Sequence, residues 1–248
     1  MKYSSFNTFA KDYHLKRKKP WRPLEIFLNH LRKKAYSFNG LILDLGCANG
    51  RNFKILGDSP KKLVGIDISL ELLKIAKNTL NESEQYSKSE RNNIQLILGN
   101  ITSLPIRENT FHTVFLIATI HHIMKKSERK KTILQIYTLL RKNGNLIATV
   151  WRKWQKKLRN YFIFDWIRRY FTFNYKEQQS KIGLEEFGDK FVPWTLSKGE
   201  KTFNRFYHFF SKKELKKLFK IFKIIEFKIT GGPTKKDNFF IFARKSEI

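Results

Sequence analysis

The residues best suited to chemistry lie in a short turn, DLGCANG (44–50), directly after an apolar run. A backbone that must approach a ligand closely needs little or no side chain there. Gly46, Ala48 and Gly50 meet that need. Their spacing, G-x-A-x-G, differs from the G-x-G-x-x-G of pyrophosphate-binding turns. Asp67 ends the next apolar run, in GIDIS, where an acid can accept both hydroxyls of a ribose. With Asp44 ahead of the turn, the set fits a ligand with a nucleoside and a charged amino-acid tail, not a dinucleotide.

Other chemically capable residues are scattered. His121 and His122 follow a fourth apolar run. No third or fourth ligand is suggested near them, so a metal site is not expected. Cys47, the one cysteine, sits inside the turn and reads as a small turn residue. It is wrongly placed to act as a nucleophile, and a single cysteine makes no internal disulfide, which suggests a reducing, cytoplasmic compartment.

These residues need a scaffold, and the apolar pattern supplies one. Buried strands are expected at 41–46, 62–68, 94–100, 113–120 and 145–151. Helices are expected at 24–36, 49–56, after Ser69 and after Ser127, the two serines acting as caps. The second of these capped helices would turn Ile133, Leu134, Ile136, Tyr137 and Leu140 inward. Residues 81–93 are polar and read as a surface loop. Alternating strands and helices with near-continuous apolar strands argue an α/β fold, a parallel sheet covered on both faces. After Trp151 the alternation breaks. Residues 152–205 read as an insertion before Ser211 caps a last helix and strands at 223–230 and 238–245 close the sheet as an antiparallel hairpin.

The chain has 248 residues, 41% hydrophobic and 15% aromatic, which excludes a disordered chain. The longest uninterrupted apolar run is 114–118, far short of the ~20 residues of a membrane span. Net charge is +29 and unevenly placed: +8 over 1–40, +1 over 41–110, +6 over 111–150 and +14 over 151–248. A nearly neutral segment between basic flanks favours a polyanionic partner, nucleic acid first and an anionic membrane second.

The turn, GIDIS and the LGN at 98–100 resemble the class I S-adenosylmethionine-dependent methyltransferases. That resemblance implies a Rossmann-like sheet of seven strands, mostly parallel, with a C-terminal antiparallel hairpin and helices on both faces. It also implies S-adenosyl-L-methionine as cofactor, with Asp44, Gly46, Ala48 and Gly50 around the methionine moiety, Asp67 and Ile68 at the ribose, Asn100 and Ile101 near the adenine, and Ile117 lining the cleft. Ala48 stands where glycine is commonest and Asn100 where Asp is common.

Four further segments narrow the likeness. They are YHLKRKKPW (13–21), IHH (120–122), FVPW (191–194) and RFYHFF (205–210). In this order they resemble the tRNA carboxymethyluridine methyltransferases, which methylate the side-chain carboxylate of a modified wobble uridine. Arg22 stands where a second proline usually follows the tryptophan, and Lys16 where a small hydroxyl residue is common. The resemblance implies one methyltransferase domain over 1–248, with 1–40 a basic N-terminal cap and 152–205 a substrate-side insertion. It assigns Arg17, His121 and His122 to catalysis, and Lys19, Trp21, Trp194, Arg205, Tyr207 and His208 to the substrate. It further implies two partners, the tRNA anticodon loop and a small zinc-binding activator subunit that pairs by strand addition.

A carboxylate nucleophile is ionised at neutral pH, with an ordinary pKa near 4, so this chemistry asks for alignment and a cation and for no general base. Two other readings fit the cofactor residues: a methyltransferase for a small molecule or lipid, and a non-catalytic RNA-binding subunit that kept the fold.

Overall fold

The computed structural model describes residues 6–58, 61–197, 199 and 201–246. Strand β1 (Gly40–Leu45) lies at the sheet centre, and β2 (Lys61–Asp67), β3 (Ile94–Leu98), β4 (Phe111–Ile117) and β5 (Leu140–Trp151) run parallel to it. After a separate hairpin of β6 (Asp189–Thr195) and β7 (Thr202–His208), β8 (Lys223–Thr230) and β9 (Asn238–Arg244) return as an antiparallel pair on β5. The seven-stranded order is β3-β2-β1-β4-β5-β9-β8. Strand order reverses between β1 and β4, so a crevice opens at their carboxyl ends, where such sheets place ligands.

Helices α1 (Ala10–Lys16), α2 (Arg22–Lys33) and α3 (Leu70–Glu82) precede the short α4 (Lys88–Asn92), and α5 (Lys126–Leu139) precedes β5. The insertion holds α6 (Arg159–Phe171) and α7 (Tyr175–Lys181), and α8 (Lys212–Leu218) precedes β8. One face of the sheet is covered through Leu24, Phe27, Leu28 and Leu31 of α2 with Leu73, Ala76 and Leu80 of α3. The other is covered through Ile133 and Ile136 of α5 and Leu215 of α8. Among the described residues no helix is long and apolar enough to cross a membrane.

Local chemistry explains where the pattern holds and where it does not. Ser69 accepts from the Leu72 amide, capping α3, and Ser211 with Glu214 forms a full capping box on α8. A second capping box, Ser87 with Glu90, nucleates α4 inside the segment expected to be a loop. Ser127 is not a cap: the cap position lies two residues earlier, at Lys125, with no side-chain bond, and Ser127 falls inside α5. Leu134 is exposed, because the inward stripe runs through Arg129, Thr132, Ile133 and Ile136. Residues 51–57 form turns and no helix, since Gly50 and Gly57 both have positive φ. The strand expected from 145 begins at Leu140, with Asn143 at φ 59° inside it. The insertion carries α6, α7 and β6, and its expected end at 205 falls within β7.

Candidate active site

The turn after β1 is shaped by backbone conformation and one carboxylate. Gly46 has φ 77°, and a Cβ there would lie 2.3 Å from the Thr119 side chain at the end of β4. Ala48 has φ 50°, a left-handed conformation that costs an L-residue about 1 kcal/mol. Its amide donates to Asp67 Oδ2 at 2.8 Å, and the Ser69 amide donates to Oδ1 at 2.8 Å. Asp67 therefore ties the turn to the start of α3 while keeping further lone pairs on both oxygens.

Asp44 is buried at the end of β1, and burial with the neighbouring Asp67 pushes its carboxyl up to about 8. Burial also holds the Cys47 thiol well above its usual range, so it is inert. Asn49 is buried, and its Oδ1 has no hydrogen-bond partner. A buried unpaired acceptor in the turn is a fitting seat for a donor such as an ammonium group. Ile117, the last residue of β4, and Ile101, in the loop after β3, are buried, Ile68 is exposed, and Asn100 Oδ1 accepts from the Thr102 amide and hydroxyl.

The N-terminal residues close over this crevice. Asn7 Oδ1 accepts from the Ser69 hydroxyl and the Glu71 amide. Asn49 Nδ2 donates to the Arg17 carbonyl at 3.0 Å and meets His14 Nδ1 at 3.0 Å. The same segment reaches the hairpin. The Trp194 indole N–H donates to Asp12, its ring stacks on Phe9 and Tyr13, and the Arg17 guanidinium sits 5.7 Å from it.

Arg205 completes the group. It is 8% exposed, lies 4.7 Å from the Trp194 ring, and donates through Nη1 to the Tyr207 hydroxyl at 2.7 Å. Its Nε has no partner, and no carboxylate among the described residues pairs with the guanidinium. Tyr207 is stacked between His121 at 4.9 Å and Trp151 at 4.4 Å, and burial pushes its phenol up to about 12. His122 meets Tyr207 edge-on and pairs its Nδ1 with the Phe206 carbonyl at 2.9 Å, which requires the N–H there. Burial holds His122 at about 3 and His121 well below its ordinary range. Both imidazoles are neutral at physiological pH and cannot serve as cationic groups.

The structure thus brings Arg17, His121, His122, Trp194, Arg205 and Tyr207 together beside the turn. His208 does not join them. It is fully buried on the opposite face of β7, with Nδ1 on Asp189 and Nε2 on Glu214, so both ring nitrogens are used and the substrate role expected for it is corrected. His208 and Asp189, with Glu186, form a cluster of metal-ligating types, but Asp189 is already engaged by His208 and Glu186 by Arg129. Trp21 packs its ring 5.1 Å from Phe240 and bonds its amide to Asn52, filling the α2 side of the core. Lys19 is exposed. Trp151 and Asn49 were missed by sequence reasoning. A tryptophan at the carboxyl end of a strand, and a polar residue inside a ligand turn, were the available signals. Nothing in the sequence marked Asp12.

Residues 43–148 match a family described as a methyltransferase domain. The tRNA (carboxymethyluridine(34)-5-O)-methyltransferase of Schizosaccharomyces pombe is 24% identical over 230 residues, 85% of this chain and 82% of that protein. The protein of the same name from Arabidopsis thaliana is 28% identical over 147 residues, 59% of this chain but 31% of its own length. A solved S-adenosylmethionine-dependent methyltransferase from Methanosarcina mazei superposes with TM-score 0.68 at 21% identity, over 88% of this chain and 98% of that one, a likeness of fold. The crevice at the β1–β4 reversal and the turn held by Asp67 both lie within residues 43–148, so the match to a methyltransferase domain and the likeness of fold fall on the same place.

Proposed function

We propose that this chain methylates a carboxylate on RNA, that of a carboxymethyluridine at the tRNA wobble position. The observation that carries the reading is Arg205, a buried guanidinium with an unpaired Nε and no acidic partner among the described residues, beside the turn that receives the cofactor. Leaving a cation buried without a counter-charge is costly, and an anionic group of the substrate removes that cost. The relatives' substrate supports the choice of carboxylate.

S-adenosyl-L-methionine, when bound, supplies a methyl group on a sulfonium. Asp67 holds the ribose, Asn49 Oδ1 and Asp44 receive the ammonium, and Ala48, Gly46 and Gly50 leave room for the methionine backbone. Asn100 and Ile101 border the adenine, with Ile68 and Ile117 as apolar walls. Arg205 and Arg17 hold the substrate carboxylate or a neighbouring phosphate. Tyr207, braced by neutral His121, His122 and Trp151, fixes the direction in which Arg205 points. A substrate already ionised needs no base, which agrees with histidines that burial makes weakly basic. The activator subunit belongs to the same reading. β3 is an edge strand with Ile97 and Leu98 exposed, an edge that could take an added strand.

Nucleoside mass spectrometry tests this. tRNA carrying carboxymethyluridine is incubated with the protein and S-adenosyl-L-methionine, with and without activator. A methyl ester at the wobble uridine is expected. No product in either arm, with cofactor binding established, overturns the tRNA substrate and points to small acidic molecules.

A further inference from the structure

Helix α6 is amphipathic in reverse. Its inward face carries Phe162 together with an ion pair, Asp165 to Arg169 at 2.9 Å, and Asp165 also accepts from the Tyr175 hydroxyl. Its outward face carries Ile163, Phe164, Trp166, Ile167, Tyr170 and Phe171, all exposed. Phe173, just beyond the helix, is 92% exposed. A surface helix ordinarily turns its apolar stripe to the core. Here the stripe faces solvent, which marks it as a contact surface.

Charge narrows the occupant. Over residues 152–182 the exposed basic residues are Lys156, Lys157, Arg159, Arg168, Lys176 and Lys181, and Glu177 is the one exposed acid, paired with Lys181 at 2.8 Å. A second copy of this chain, with net charge +29, would be repelled. An anionic occupant is favoured. Five of the seven apolar side chains just named are aromatic, and rings rimmed by arginine and lysine are how proteins hold unpaired nucleotides. Position agrees. The inner face of α6 meets the side of the hairpin that carries Arg205: Lys190, directly opposite Tyr207 in the β6–β7 register, lies 3.5 Å from the Tyr161 ring.

We infer that the outward face of α6, with Phe173, is a stacking platform for unpaired nucleotides beside the one being methylated. Phe164, Trp166, Tyr170 and Phe171 take base faces, while Arg159 and Arg168 take phosphates. The inference rests on the RNA reading of the substrate and adds where that RNA docks.

Binding of the full chain is measured by fluorescence anisotropy to an unmodified anticodon stem-loop and to a fully paired RNA of equal length, over a range of salt. F164A/F171A is expected to bind the stem-loop about tenfold or more weakly, with paired RNA little affected. The slope of log affinity against log salt should stay unchanged, because phosphate contacts remain. R159A/R168A is expected to flatten that slope. Circular dichroism and cofactor affinity equal to wild type show that each variant is folded. Wild-type affinity in F164A/F171A, with wild type binding the stem-loop, overturns the platform and leaves the substrate reading standing. No stem-loop binding by the wild type overturns both. Capture of wild type by phosphatidylserine vesicles at high salt, lost in F164A/F171A while RNA binding is kept, overturns the platform in favour of a membrane face.

Discussion

Arg205 and Tyr207, two residues apart on β7, share one face of the strand, and the guanidinium donates to the phenol oxygen at 2.7 Å. The alternation of a strand puts them there together and sends His208 to the other side. The pairing engages one hydrogen of the fork, on Nη1, and leaves Nε without a partner. Tyr207 is in turn held by the rings of His121 and Trp151, so the cation is oriented before substrate arrives. Under the proposed function, charge preorganised in this way acts on a substrate anion without reorganising at the moment of reaction.

Arg205→Lys tests that geometry. Lysine keeps the charge but loses the planar fork. kcat/KM for RNA methylation should fall by about 10- to 100-fold, the size of a lost charge-assisted hydrogen bond, while cofactor affinity stays within about twofold. Steady-state kinetics with calorimetry of cofactor binding checks this. A joint loss of both would place Arg205 in the cofactor site instead.

Ala48→Gly tests the turn. With φ at 50°, alanine carries strain that glycine does not, so the variant should gain about 0.5–1 kcal/mol in urea unfolding. Its cofactor affinity should be retained, because the amide that donates to Asp67 is unchanged. A loss of stability would contradict the strain.

The buried histidines set an acid limit. His122 titrates at about 3 in the folded chain and near 6.5 unfolded, and His121 is lowered too. Below about 6.5 the unfolded state binds protons that the native state refuses, so stability is lost as pH falls from there toward 3. Each group contributes about 1.4 kcal/mol per pH unit inside its window. Urea unfolding at pH 7 and pH 5 measures the slope. His122→Gln, which keeps a donor for the Phe206 carbonyl, should make it shallower by one group's share, and an unaltered slope would refute the assignment.

The sequence by itself determined the sheet. Near-continuous apolar strands must be buried on both faces, and small residues after β1 with an acid at the end of β2 mark the ligand end of such a sheet. Those signals are local, carried by periodicity and by residues that only a tight turn tolerates. Ser69 and Ser211 were legible as caps because a cap needs only three neighbouring residues. Short-range competition hid other features. Ser87 with Glu90 made a helix in a polar stretch, and positive φ at Gly50 and Gly57 undid an expected one.

Only the tertiary structure decided which basic, aromatic and histidine residues meet. Arg17 reaches the turn because Asn49 bonds its carbonyl across 32 positions of sequence, and Trp194 joins it through Asp12 across 182. Tyr207 and His208 are neighbours in sequence with opposite surroundings, one among rings and the other between carboxylates. α6 reads as an irregular aromatic stretch until its ion pair is seen facing inward. Contacts between residues far apart in the chain depend on how elements pack. One side-chain pattern can fill a core or face solvent, and packing makes that choice.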